Sequence, residues 1–323
     1  MREFTKTLLQ NTVENKSKLG LFNRVIKSIS SIELFVVDKD EYQEIVREQI
    51  EKGLHRIVVL GKYKGKKAVF RQYSNKTIKS KQFFNRELTA LKELDENGFS
   101  VQPNLLDFSI KDLWLLESYV AGEVSGNFFN FSKKFVDRVK PKTIIKYLTE
   151  LNVLTPSLPK YSSKLIKEYE QKIEYIVDHW PFDKNEIYPW ATNFRDYLKR
   201  AVKEVKFWHS DINVGNIITR GGKIYLIDWE SARYDIPFKD LAAAYYRAAD
   251  FPSWQNDFLS NLTLNQQDMV MFDYVYMLYL CEDICFLNDR VGNKKYTFRE
   301  GDASETRIKE IIRRNHRIVK KLV

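Results

Sequence analysis

The sequence predicts an α+β protein in two lobes: a small sheet-rich N-lobe over residues 1–120 and a large helical C-lobe over residues 121–323. Three observations predict it. At 323 residues the chain exceeds what one compact core usually holds. The front half carries β-branched and aromatic runs around a single strongly amphipathic helix. Behind "AGEVSG" (121–126) the apolar period becomes mostly helical and stays so to the end.

Taken in order, residues 1–30 read as a basic helical extension, with Leu8, Leu9, Leu21, Phe22, Val25 and Ile26 as its apolar positions. "IELFVVD" (32–38) reads as a strand, and 39–53 as a helix stopped by glycine. "RIVVLGKYKGKKAVFRQY" (56–73) is two strands around a Lys-Gly turn. Residues 81–98 form the main N-lobe helix, with Phe84, Leu88, Leu91 and Leu94 at helical spacing. "LLDFSIKDLWLLESYV" (105–120) is a second hairpin. The C-lobe carries strand signals only in "VKFWHSD", "NIITR" and "KIYLIDW". "HWPFDKNEIYPW" (179–190), with two prolines, reads as a loop between helices. Ile308, Ile311, Ile312, Ile318, Val319 and Leu322 share one face of a basic C-terminal helix. Docking on the C-lobe is the expected use of that stripe, with attachment to a membrane surface through the basic helices as the alternative.

Composition narrows the function classes. Two cysteines, Cys281 and Cys285, make no disulfide framework, and their spacing on one helix face fits core packing better than a metal site. The sequence has no apolar stretch near the ~18–20 residues of a membrane span and no signal-like apolar run at its start. A soluble cytoplasmic protein is the expectation. The net charge of +10 favours anionic ligands; nucleic-acid binding would rest on that charge alone and is set aside.

One stretch asks for chemistry. "HSDINVGN" (209–216) is followed by "IITR", the turn "GG" and the apolar run "KIYLID" (223–228). A tight hairpin returns Asp228 to the neighbourhood of Asn216. An amide oxygen beside a carboxylate is a pair of hard oxygen ligands suited to Mg²⁺. Asp211, farther along the same loop, is placed to face a substrate hydroxyl, and His209 to brace the loop. These are the parts phosphoryl transfer needs.

H-S-D-I-N-V-G-N also matches the catalytic-loop spacing H-x-D-x-x-x-x-N, and "IDWE" (227–230) stands where protein kinases carry D-F-G. With "DLAAAYY" (240–246) close behind and no room for a long activation segment, the chain resembles the aminoglycoside phosphotransferase and choline kinase-like family over roughly residues 50 to 250. The resemblance implies a bilobal protein kinase-like fold and a kinase that uses ATP and Mg²⁺ on a hydroxyl of a small molecule. It implies that Asp211 positions and deprotonates the acceptor, that Asn216 and Asp228 hold the metal, and that Asp240 with His209 braces the loop. It places "AVFRQ" (68–72) on the strand that normally carries lysine, so Arg71, set by Glu87, contacts the phosphates. "LLESYVAGE" (115–123) resembles the hinge, with backbone groups near Ser118 and Val120 for adenine and with Val69 and Leu115 as walls. The acceptor is expected among sugars, amino sugars, aminoglycosides and amino alcohols, or as the sugar of a glycolipid or cell-surface glycan. A polycation would want an acidic cleft from Asp250, Asp257, Glu282, Asp283 and Asp289. Arg71 in place of lysine, and the lack of a Gly-rich loop, keep a nucleotide-binding pseudokinase as the rival. The role of Glu230 stays open. Most of Tyr245, Tyr246, Trp254, Phe258, Phe272, Tyr276 and Tyr279 are expected in the core.

Overall fold

The computed structural model describes residues 24–25, 27–37, 56–75, 77–127, 129–155, 158, 162–292 and 304–323. The helix expected over 39–53 and most of the 1–30 extension lie outside the described residues. The chain divides into two compact units, Met1–Ala121 and Gly122–Val323.

In the first unit the expected strand at 32–38 is shorter, β1 (Phe35–Val37), because Leu34 takes a left-handed φ of 67° and turns the chain just before it. β2 (Arg56–Tyr63) and β3 (Lys66–Tyr73) pair antiparallel through Lys64 and Gly65, both at positive φ, as a two-residue hairpin turn requires. The helix α1 (Ile78–Glu96) begins three residues earlier than its apolar pattern, since the Thr77 hydroxyl caps the Ser80 amide at 3.0 Å. β4 (Leu105–Ser109) and β5 (Trp114–Ser118) complete a sheet of order β1-β2-β3-β5-β4. Strand alternation divides β3. Ala68 and Phe70 join Val59, Trp114 and Leu116 in an apolar cluster on one face. Arg71 and Tyr73 point to the other, where Tyr73 meets Phe84 of α1 edge-on.

The second unit is mainly helical, and four of its strands escaped the sequence reading. β6 (Glu123–Val124), inside the stretch read as a connection, pairs with β10 (Ile217–Arg220). β7 (Gly126–Asn127) and β8 (Asn130–Phe131) make a small hairpin. β12 (Arg233–Asp235) pairs with β9 (Lys206–Trp208). Pieces of two or three residues are too short to display alternation, so only the partner strand reveals them. Helices α2 (Lys133–Arg138), α3 (Pro141–Leu151), α4 (Ser162–His179), α5 (Tyr188–Ala201), α6 (Lys239–Arg247), α7 (Pro252–Asn261), α8 (Gln266–Gly292) and α9 (Glu305–Leu322) complete it, with β11 (Lys223–Leu226) beside β10. Between α4 and α5 the proline-containing stretch holds only a short 3₁₀ turn.

The long α8 is the axis of this unit and packs against α9, α6, α4 and α5. Cys281 and Cys285 are free thiols buried on it, as core packing requires. Ile308, Ile311, Ile312 and Val319 of α9 are buried, whereas Ile318 at the edge of the stripe is half-buried and Leu322 in the last turn is exposed. Asn315 sits buried in the middle of that stripe and donates to the Tyr246 hydroxyl at 3.0 Å. No helix among the described residues is long and apolar enough to cross a membrane.

Gly122 is the close-approach residue of the β6–β10 pairing. A Cβ there would lie 2.4 Å from the Thr219 carbonyl oxygen and 2.6 Å from Ile218 Cγ2. Gly122→Ala is expected to cost about 1–3 kcal/mol by overpacking, read as a lower urea midpoint.

Candidate active site

In the second unit, β9 delivers the chain to His209, which is fully buried. Its Nε2 donates to the Ile227 carbonyl at 2.9 Å, and its ring stacks edge-on against Trp229 at 4.5 Å. Burial lowers the His209 pKa, so the ring is held neutral and ties the loop 209–216 to the segment beyond β11. The next residue, Ser210, has a left-handed φ of 63°. Its amide is turned onto Asp240, donating to the two carboxylate oxygens at 3.1 and 3.0 Å. Asp240 stands in the first turn of α6, where the helix dipole favours a negative charge. It is fully buried, and burial pushes its carboxyl up to about 7, against the lowering pull of the Ser210 amide and of Lys239.

Asp211 follows, half-buried, with its carboxylate oriented by two carboxamides. Asn213 Nδ2 donates to Oδ1 at 3.0 Å, and Asn216 Nδ2 donates to Oδ2 at 2.9 Å. Asn213 in turn accepts the amides of Gly215 and Asn216 at 2.8 and 3.1 Å. This role of Asn213 escaped the sequence reading. The available signal was the habit of Asn to cap backbone amides two or three residues on.

The pairing of β10 with β11 sets Ile217 opposite Leu226, through Gly221 and Gly222 at φ 57° and 78°. The ladder runs one step further, since the Ile227 amide donates to the Asn216 carbonyl at 3.0 Å. Asn216 is therefore fixed beside the chain that carries Asp228, itself left-handed at φ 70° and half-buried. Both Nδ2 contacts of Asn216 go to Asp211, which turns its amide oxygen the other way. That oxygen and the Asp228 carboxylate are a donor set that fits Mg²⁺, a hard cation that takes few protein ligands and keeps water and phosphate oxygens. Among the described residues no group of three or more His, Cys, Asp or Glu is disposed to hold a metal ion. Glu230 lies half-buried in the 3₁₀ turn Trp229–Ser231.

The first unit holds a buried charge cluster. Cross-strand pairing puts Val69 opposite Glu117 and Arg71 opposite Leu115, so all four share a face. Arg71 Nε donates to Glu117 Oε1 at 2.8 Å and lies 3.8 Å from Glu87 Oε1. The expected pairing with Glu87 is thus present but second: Glu117, unnoticed in the sequence, is the nearer partner. Glu87 also accepts the Tyr73 hydroxyl. All three charged groups are buried. The Ser118 amide, expected to be available to a base, is already given to the Asn104 carbonyl at 2.9 Å, and the Ser118 hydroxyl takes the Asn104 amide. Leu115 is buried, while Val69 and Val120 are half-buried.

The acids expected to form an acidic cleft for a polycation are engaged elsewhere. Asp250 meets Arg307 at 2.5 Å and Arg314 at 2.6 Å, and Glu282 meets Lys172 at 2.7 Å. Asp283 accepts the Tyr246 hydroxyl and Asp289 the Tyr175 hydroxyl, while Asp257 accepts Asn261. The aromatics Tyr246, Trp254, Phe258, Phe272 and Tyr276 are buried, as expected of core residues; Tyr245 and Tyr279 are half-buried.

Asp240 generates a pH prediction. Burial pushes its carboxyl up to about 7, above its ordinary 3.8. The stability it contributes is therefore full below about pH 4 and is lost as pH rises through about 7. Buried neutral His209 acts in the opposite sense as pH falls, so the comparison is with Asp240→Asn. Wild type is expected to lose urea stability relative to that variant between pH 4 and 8; parallel curves would contradict the assignment.

Residues 47–273 match the model of the phosphotransferase enzyme family, APH. No curated protein matches the sequence. Among solved structures, an ethanolamine kinase from Plasmodium vivax is 14% identical with a TM-score of 0.53, over 100% of this chain and 96% of that one. A choline/ethanolamine kinase family protein from Mesorhizobium loti is 11% identical with a TM-score of 0.52, over 93% and 99%. An ADP-bound aminoglycoside phosphotransferase is 14% identical with a TM-score of 0.50, over 94% and 99%. The fold is the protein kinase-like fold of these enzymes.

Proposed function

The chain belongs to the phosphotransferase enzyme family and is a kinase of hydroxyl acceptors, and we propose that it moves the γ-phosphoryl group of ATP, with Mg²⁺, to a hydroxyl of a small molecule through Asp211. The observation that carries this reading is the double clamp on that residue. Asn213 and Asn216 orient its two carboxylate oxygens, and Asp240 grips the amide just before it. A base held at a fixed angle contributes by orienting the acceptor hydroxyl and taking its proton.

The remaining roles are part of the same proposal. Asn216 and Asp228 hold Mg²⁺, which when bound neutralises charge on the phosphate oxygens. His209, kept neutral, braces the loop. Arg71, set by Glu117 and Glu87, contacts the α/β-phosphates. For the base, the Ser118 carbonyl and the Val120 amide are the hinge groups that suit hydrogen bonds to adenine, with Val69 and Leu115 as walls. The ADP in one solved relative supports a nucleotide at this fold. The acceptor is a small molecule with a free hydroxyl, such as a sugar, an amino sugar or an amino alcohol. Engagement of Asp250, Glu282, Asp283 and Asp289 in internal contacts argues against an aminoglycoside polycation. The presence of Asp211, Asn216 and Asp228 together argues against a scaffold without turnover.

Asp211→Asn is expected to lower turnover by ~10²–10⁴ while leaving ATP affinity near wild type, measured by ADP release and by calorimetry. Unchanged turnover with a good acceptor would remove Asp211 from the chemistry.

Arg71→Ala is expected to impair ATP use about ten- to a hundred-fold, the worth of a charge-assisted phosphate contact. Because Glu117 lies a full ångström closer than Glu87, Glu117→Gln should impair it more than Glu87→Gln. Arg71→Lys should fall short of wild type, since an ammonium does not reproduce the planar fork; steady-state KM for ATP across the four variants decides.

A further inference from the structure

Arg247, in the last turn of α6, reaches back to the loop that carries Asp211. Its Nε donates to the carbonyl of Ile212, the residue after Asp211, at 3.3 Å, and its Nη1 to the carbonyl of Phe129 at 3.2 Å. Both acceptors are neutral groups. They fix the guanidinium in place without cancelling its charge. A guanidinium has five N–H donors, and these two contacts use two of them.

The carboxylate it meets among the described residues is Asp283, at 3.9 Å, the outer limit of an ion pair. Asp283 also accepts the Tyr246 hydroxyl at 2.6 Å; burial pushes its carboxyl up, and Arg247 pulls it back down. Asp250, three residues beyond Arg247, is covered by Arg307, Arg314 and the Asn130 amide. The Arg247 side chain keeps 13% of its surface, so it is not sealed in.

An acceptor brought to Asp211 arrives next to Ile212, whose carbonyl Arg247 holds, and a positive charge at that place favours an anionic acceptor over a cationic one. Arginine is suited to the task, since its planar fork matches the oxygens of phosphate and carboxylate. Resting on the reading of Asp211 as the carboxylate that orients the acceptor, we propose that the acceptor carries an anionic group seated on Arg247. The substrate class is then a phosphorylated or acidic sugar or polyol, free or as a glycolipid headgroup, and not a polyamine. In the transfer the acceptor hydroxyl oxygen bonds to the γ-phosphorus, and the bond from that phosphorus to the β–γ bridging oxygen breaks. ADP leaves with the electron pair, and the hydroxyl proton passes to Asp211.

The test measures ADP release by the full chain with ATP and Mg²⁺ on matched acceptors: glucose, glucosamine, glucose 6-phosphate and glucuronate. A further arm presents a glucuronosyl lipid in detergent micelles, which separates a free acceptor from a headgroup. The expected result is a kcat/KM about ten- to a hundred-fold higher for the anionic members than for glucose. Arg247→Met should erase that advantage, and Arg247→Lys, which restores the charge, should recover part of it. The wild-type ranking depends on no variant folding: a preference for glucose or glucosamine overturns the proposal. Turnover that is lost in Asp211→Asn yet blind to the charge of the acceptor overturns the role of Arg247 alone. Turnover that survives Asp211→Asn brings down the reading beneath it, and the proposal with it.

Discussion

The bond from the Ser210 amide to buried Asp240 is the constraint on which the second unit's site depends. A serine at φ 63° is strained, by roughly 1–3 kcal/mol for a residue of this kind. It stays there because its amide, directed inward, finds two carboxylate oxygens at 3.0–3.1 Å. The first turn of α6 and the neighbouring Lys239 favour the Asp240 charge and offset part of the cost of its burial. The loop is thus pinned at residue 210 from the helix side, and its direction on leaving that residue is fixed. Asp211 is the next residue.

A second set of contacts pins the same loop from the strand side. His209 bonds the Ile227 carbonyl, and the Ile227 amide bonds the Asn216 carbonyl. One residue, Ile227, therefore holds both ends of the loop 209–216 and is immediately followed by Asp228. The side chains of Asn213 and Asn216 fill the loop between these ends and turn the Asp211 carboxylate. Asn216 and the chain carrying Asp228 are related through a backbone bond, and Asp211 is turned by the side chains of Asn213 and Asn216. Such a relation survives the approach of a charged ligand, which is what a preorganised site requires.

Much of this was legible in the sequence. Strand alternation in "AVFRQ" put Arg71 opposite the apolar cluster, and the Gly221–Gly222 turn brought Asp228 back to Asn216. The hidden parts share one physical cause: they depend on a partner distant in sequence. Glu117 becomes the nearer counter-charge of Arg71 only through the register of β3 with β5. β6 and β12 are strands only because β10 and β9 lie beside them. Asn315 is buried in an apolar stripe because the Tyr246 hydroxyl meets it from α6. Local pattern carries no trace of such contacts, and Asn213 was missed for a smaller reason, since Asn in a loop is ordinary.

Charge distribution binds these observations together. Burying an ion without a partner costs several kcal/mol, and the chain meets that cost by committing many of its buried acids internally. Glu87 and Glu117 go to Arg71, Asp235 to Arg233 and Tyr169, Asp250 to Arg307 and Arg314, and Asp240 to a backbone amide. Acids spent in this way cannot also welcome a cation. With a formal net charge of +10, the basic side chains are in excess. Arg247, held by two carbonyls beside the loop of Asp211, is the case that bears on chemistry.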